Sequence, residues 1–89
     1  MIKHLDITIS GRVQMVGFRY HAKQRAVDLG VKGKVQNQPD GTVLIEAEAE
    51  DQQLEQFLAW CRHGPDQAQV SRIEYSESQP RNYDTFEIV

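Results

Sequence analysis

The sequence contains a single cysteine, Cys61, and therefore no partner for an intramolecular disulfide. It also lacks a Cys/His cluster at ligand spacing, which argues against a structural zinc site. Stability must come from packing. No stretch approaches the roughly 20 apolar residues needed to span a bilayer. Met1-Ile2-Lys3-His4 leads straight into an alternating pattern rather than an apolar signal core. A cytoplasmic protein without a membrane partner is the expectation. Eighty-nine residues suffice for one domain with one modest core, and too few remain for a second.

A net positive charge is also missing: the formal charge is -3. It conceals an asymmetry, because residues 1–44 sum to +4 and residues 45–89 to -7. Such a split can focus an anionic ligand near the N-terminal half, or it can be solvated charge on unrelated faces. It argues against general nucleic-acid binding, which carries a net basic footprint. The strands also lack the paired exposed aromatics that an RNA-stacking sheet requires.

What is present is a legible order of elements. Leu5, Ile7 and Ile9 alternate with Asp6, Thr8 and Ser10, as in a strand with one buried face. The segment Gly11 to Gly17 breaks the alternation, and Phe18, Ala22, Ala26 and Leu29 then recur at helical spacing until Gly30. A loop thus runs directly into a helix N-terminus. Val31, Gly33 and Val35 suggest a second strand, Gln38-Pro39-Asp40-Gly41 a turn, and Val43, Ile45, Ala47 and Ala49 a third strand. Asp51 is the expected N-cap of a second helix with Leu54, Phe57, Leu58 and Cys61 on its apolar stripe, ended by His63-Gly64-Pro65. Val70 to Tyr75 reads as a fourth strand, Ser76 to Asp84 as a polar loop, and Thr85 to Val89 as a short final strand. The order βαββαβ, with one-sided strands and two amphipathic helices, predicts an α+β ferredoxin-like sandwich. Its antiparallel sheet would carry two helices on one face.

The first loop reads G-R-V-Q-M-V-G-F-R from Gly11 to Arg19. Residues Met15, Val16, Gly17, Phe18 and Arg19 would present unpaired N–H groups and the positive end of a helix dipole, a cradle suited to phosphate. Arg19 would add a bidentate fork for phosphate or carboxylate, or else serve as a surface helix residue. Asn37, just before the turn, either caps backbone groups or faces the same end of the sheet as the loop. Each signal alone is weak.

Taken together, Gly11 to Arg19 and Gly33-x-Val35-x-Asn37-x-x-x-Gly41-x-Val43 resemble the paired signatures of the acylphosphatases, and the resemblance runs to the closing Phe86-Glu87-Ile88. It implies a single acylphosphatase-like domain over residues 1–89 that hydrolyses small acyl phosphates to a carboxylate and inorganic phosphate. Arg19 and the backbone of residues 15–19 would bind the phosphoryl group, and Asn37 would orient the attacking water. No cofactor, metal, general acid or covalent nucleophile is called for, and a monomer is expected. The chain departs from the family pattern at three positions. Met15 stands for the usual glycine, Lys34 for the usual aromatic and Ala49 for a common glycine. Met15 leaves an alternative open: an anion-binding module with impaired turnover.

Other residues are expected to be structural. His4, His21 and His63 have no second ligand at metal spacing and read as surface or helix-terminus residues. Cys61 reads as a packed, inert thiol and Trp60 as an edge of the core. Glu46, Glu48 and Glu50 alternate on what should be a solvated strand face. Thr42 offers a hydroxyl that would support Asn37, or simply a β-favouring residue.

Overall fold

The computed structural model describes residues 1–89. The elements are β1 (Lys3–Arg12), α1 (Phe18–Leu29), β2 (Lys32–Asn37), β3 (Val43–Ala49), α2 (Asp51–His63), β4 (Gln69–Ser78) and β5 (Phe86–Ile88). The sheet order is β4-β1-β3-β2-β5. The first four strands pair antiparallel, whereas β5 runs parallel to β2, with Gly33 opposite Phe86 and Val35 opposite Ile88. The expected sandwich is present, and its sheet is mainly antiparallel with one parallel pair at the β5 edge. Helix α1 packs against β2 and β5, α2 against β3 and β4, and the helices against each other.

Register explains the core. Leu5, Ile7 and Ile9 on β1 face Ala47, Ile45 and Val43 on β3, so the alternating apolar sets of both strands point to one face. Phe18, Ala22 and Ala26 from α1 and Leu54, Phe57, Leu58 and Cys61 from α2 cover that face. Fully burying one of the larger side chains, such as Ile7 or Phe57, contributes about 2 kcal/mol. Gly33 is required here by close approach: a Cβ at its position would lie 1.8 Å from the carbonyl oxygen of Glu46 on the neighbouring strand.

Several boundaries differ from the sequence expectation. Helix α2 is capped by Glu50, not Asp51, in a reciprocal capping box with Gln53. Strand β2 begins at Lys32 because Val31 is still engaged by the end of α1, its N–H donating to the Ala26 carbonyl at 2.8 Å. Strand β4 is longer than expected, since its pairing with β1 continues to Ser78 opposite His4.

The greater departure lies on the sheet face away from the helices. Glu46 and Glu48 do not form a solvated stripe, and His4 is not a surface residue; they are 6 %, 3 % and 0 % exposed. Residues 79–85 fold back across this face as a strap. His4 Nδ1 lies 2.7 Å from Glu48 Oε2, and Nε2 lies 3.0 Å from Asp6 Oδ1 and 3.5 Å from Glu46 Oε1. The strap returns donors: the backbone N–H groups of Arg81 and Tyr83 to Glu48, and the Arg81 guanidinium and Tyr83 hydroxyl to Glu46. Only Glu50, at the helix cap, remains exposed as expected.

Candidate active site

The loop between β1 and α1 ends at Gly17, which adopts φ 78° and ψ 16° and serves as the N-cap without a side-chain cap hydrogen bond. This left-handed conformation is open to glycine at little cost. The first turn of α1 carries no acidic side chain. Its leading N–H groups therefore lack both an intrahelical acceptor and a capping carboxylate, the arrangement that attracts an anion. Met15 is also left-handed, at φ 63°, and its side chain is 99 % exposed. The strain costs on the order of 1 kcal/mol. Val16 and Phe18 send their side chains into the core, so their contribution to the cradle is limited to backbone.

Arg19 is half-buried in the first turn of α1 and forms no ion pair with any carboxylate of the protein. Asn37 is the last residue of β2, where β3 fixes it opposite Val43. Both line one cavity of about 190 Å³, together with Val13, Met15, Gly17, Phe18, Tyr20 and Ile88. The Asn37 Oδ1 atom is buried and has no hydrogen-bond partner. An orphaned buried amide oxygen costs about 1–3 kcal/mol, so a site that orders a donor against it recovers that cost. The two residues singled out from sequence meet in one cavity.

Two further residues matter to this geometry. The Gln14 side-chain amide donates to the carbonyls of Gln38 and Thr42 at 2.8 and 3.0 Å, tying the cradle loop to the β2–β3 turn that follows Asn37. Gln14 was inside the motif but not singled out; its role emerges only when loop and turn are seen side by side. Thr42 does not support Asn37 through its hydroxyl. That hydroxyl donates to Asp40 at 2.6 Å and accepts from Gln38 at 3.0 Å, bracing the turn itself. Lys34 points to the opposite face, 3.4 Å from Glu46, away from the cradle.

A family model described as acylphosphatase matches residues 5–88. The chain belongs to the acylphosphatase family. An acylphosphatase of Archaeoglobus fulgidus is 44 % identical over 84 residues, covering 94 % of each chain. The crystal structure of acylphosphatase from Bacillus subtilis superposes with a TM-score of 0.96 at 34 % identity, covering 100 % of this chain and 99 % of the other. An acylphosphatase from Coxiella burnetii gives a TM-score of 0.95 at 31 % identity, with 99 % and 93 % covered. The acylphosphatase fold thus spans the chain, with the loop that ends at Gly17 connecting β1 to α1.

A second group of titratable residues lies on the sheet face away from the helices. His4, Asp6 and Glu46 do come within 4.8 Å of one another, contrary to the expectation that His4 has no second ligand nearby. The Arg81 guanidinium already occupies the cation's place against Glu46, and both His4 nitrogens face carboxylates. This is an internal ion cluster. Burial opposes protonation of His4, yet its hydrogen bonds to Glu48 and Asp6 outweigh burial and raise its pKa. Burial likewise resists charge on Glu48 and Asp6, but bonds from His4 to both, from the strap's Arg81 and Tyr83 N–H groups to Glu48 and from the Ser78 hydroxyl to Asp6 hold both below the usual carboxylate range. Cys61 is fully buried, and burial pushes its thiol far up, in line with an inert packed residue.

Proposed function

We propose that this chain hydrolyses acyl phosphates to a carboxylate and inorganic phosphate, with Arg19 and the N–H groups of residues 15–19 holding the phosphoryl group and Asn37 orienting the water. One observation carries the assignment of roles: Asn37, whose buried Oδ1 has no hydrogen-bond partner, lines the same cavity as the unpaired Arg19. A carboxamide accepts a proton-donating bond from water and donates through its nitrogen, but it is no base near neutral pH. Asn37 therefore positions water rather than deprotonating it.

The water oxygen attacks phosphorus while the P–O bond to the acyl group breaks. The carboxylate departs with the bonding electron pair, and the water's proton passes to a non-bridging phosphoryl oxygen. A carboxylate is a stable leaving group, so positioning and stabilisation of the equatorial oxygens are the main requirements. Arg19 and the α1 N-terminus meet the second requirement. Met15 reaches the left-handed conformation, φ 63°, that glycine would adopt at that position, so the loop keeps this backbone path without a glycine. The impaired binding module is accordingly not favoured.

We further infer a single catalytic domain over residues 1–89 that works as a monomer in the cytoplasm, with small acyl phosphates as substrates and no nucleic-acid partner. Steady-state hydrolysis of benzoyl phosphate with a chelator present tests the reading. The purified protein should turn over, and Arg19→Ala or Asn37→Ala should each lower kcat/KM by about 100- to 1,000-fold. An inactive unsubstituted protein would remove the hydrolase assignment.

A further inference from the structure

Two cavities meet at the cradle loop. Beyond the one holding Arg19 and Asn37 lies a wider groove of about 690 Å³, and Met15, Val16 and Gly17 border it. Its far walls come from α1 through His21 and Arg25, and from the end of α2 through Trp60, His63 and the segment Gly64 to Gln67. The volume is within the range of sites for small organic ligands. Met15 and Gly17 line both cavities, so the groove adjoins the cradle and is the space into which the acyl part of a bound substrate can extend.

The lining has a graded chemistry. The exposed Met15 side chain, the half-buried Trp60 ring and Pro65 supply the apolar part of the lining. Trp60 is held from behind by Phe18, with ring centroids 5.3 Å apart. His21 joins groove to cradle, since its Nδ1 lies 2.8 Å from the Gly17 carbonyl oxygen. Farther along α1 stands Arg25, eight residues beyond Gly17, a rise of about 12 Å. Helical side chains lean toward the N-terminus, which aims the guanidinium back along the groove. Arg25 has no carboxylate partner and is the one lysine or arginine in the lining. Asp66 is the one carboxylate in the lining and belongs to the opposite wall.

We propose that this groove is the acyl-group subsite, and that Arg25 selects acyl phosphates whose acyl part carries a second anionic group at the end distal to the phosphoryl. The apolar body lies along Met15, Trp60 and Pro65, with one anion at Arg19 and the other at Arg25. Asp66 disfavours a distal anion that swings to the other wall. The inference rests on the hydrolase reading for its chemistry but has a binding readout of its own.

Trp60 is the single tryptophan, so its fluorescence reports on the groove. The non-hydrolysable probes are 4-carboxybenzoylphosphonate and its neutral counterpart 4-carbamoylbenzoylphosphonate. Both should perturb Trp60, and the carboxylate should bind about fivefold more tightly at low salt, the upper range for an exposed ion pair. Arg25→Gln should abolish that ratio, Asp66→Asn should widen it, and about 0.5 M salt should narrow it. The corresponding acyl phosphates should show the same ratio in KM rather than in kcat. Equal affinities, or a ratio that survives Arg25→Gln, would overturn the subsite. Discrimination in binding without hydrolysis of either acyl phosphate would uphold the groove and sink the hydrolase reading. Hydrolysis of both without discrimination would do the reverse, and neither binding nor hydrolysis would remove both.

Discussion

Replacing His4 with alanine should be among the most damaging single changes outside the hydrophobic core, and its cost should depend on pH. His4 is fully buried between Glu48 and Asp6, with Glu46, Arg81 and Tyr83 around it. Removing it leaves Glu48 and Asp6 without their shared partner and opens a cavity beneath the strap. Breaking a buried ion pair from one side costs about 3–5 kcal/mol. Glu48 keeps two backbone donors from the strap, which places the expectation near the lower end, about 3 kcal/mol. That is a large part of the roughly 5–15 kcal/mol available to a small domain.

The pH window follows from the directions of the shifts. His4 has its pKa raised above the ordinary 6.5, so its contribution is complete below 6.5 and is lost as pH rises through the folded value. Asp6 and Glu48 have theirs lowered from 3.8 and 4.5, so their contributions are complete above those values and are lost as pH falls through the folded ones. The cluster therefore stabilises most between 4.5 and 6.5. Urea unfolding followed by circular dichroism would measure it. With a slope of about 1 kcal/mol per molar, the midpoint of His4→Ala should fall by roughly 3 M at about pH 5.5 and by less at about pH 9. An equal displacement at both pH values would refute the charged-cluster account.

Three further outcomes are expected. Gly33→Ala should destabilise by about 3 kcal/mol or more in the same urea assay, because its Cβ would lie 1.8 Å from a backbone oxygen of the adjacent strand. Cys61 should resist a thiol reagent in the native protein and react once urea has unfolded it, as its fully buried position requires. Gln14→Ala should lower kcat by about tenfold with little change in thermal unfolding, since it loosens the loop-to-turn tie rather than the core. Gln14→Glu, which cannot donate to the two carbonyls, should behave likewise.

The fold was legible where a local pattern carried it. Alternation identified the core faces of β1 and β3, and the two glycines marked the loop-to-helix junction at Gly17. Arg19 and Asn37 were paired through the resemblance of two short motifs, each weak alone, and the structure brings both to one cavity. The His4 cluster was not, because it depends on the β1–β3 register and on a strap of irregular backbone whose sequence shows no period. A histidine and two glutamates on alternate strand positions look like a wet face until residues 79–85 cover them. The parallel direction of β5 was equally hidden, since periodicity carries no orientation. The cap at Glu50 was readable in principle from Glu50-x-x-Gln53, but Asp51 beside it offered the more usual capping side chain.

The central claim is a division of labour, with Arg19 holding the phosphoryl group and Asn37 placing the water. Inorganic phosphate as a competitive inhibitor of benzoyl phosphate hydrolysis tests it most directly. Its binding to Arg19→Ala and Asn37→Ala can also be followed by calorimetry where turnover is lost. The account predicts that Asn37→Ala keeps phosphate affinity within about threefold while kcat falls at least about 100-fold, and that Arg19→Ala loses affinity as well as turnover. Phosphate binding that disappears with Asn37→Ala and survives Arg19→Ala would contradict it.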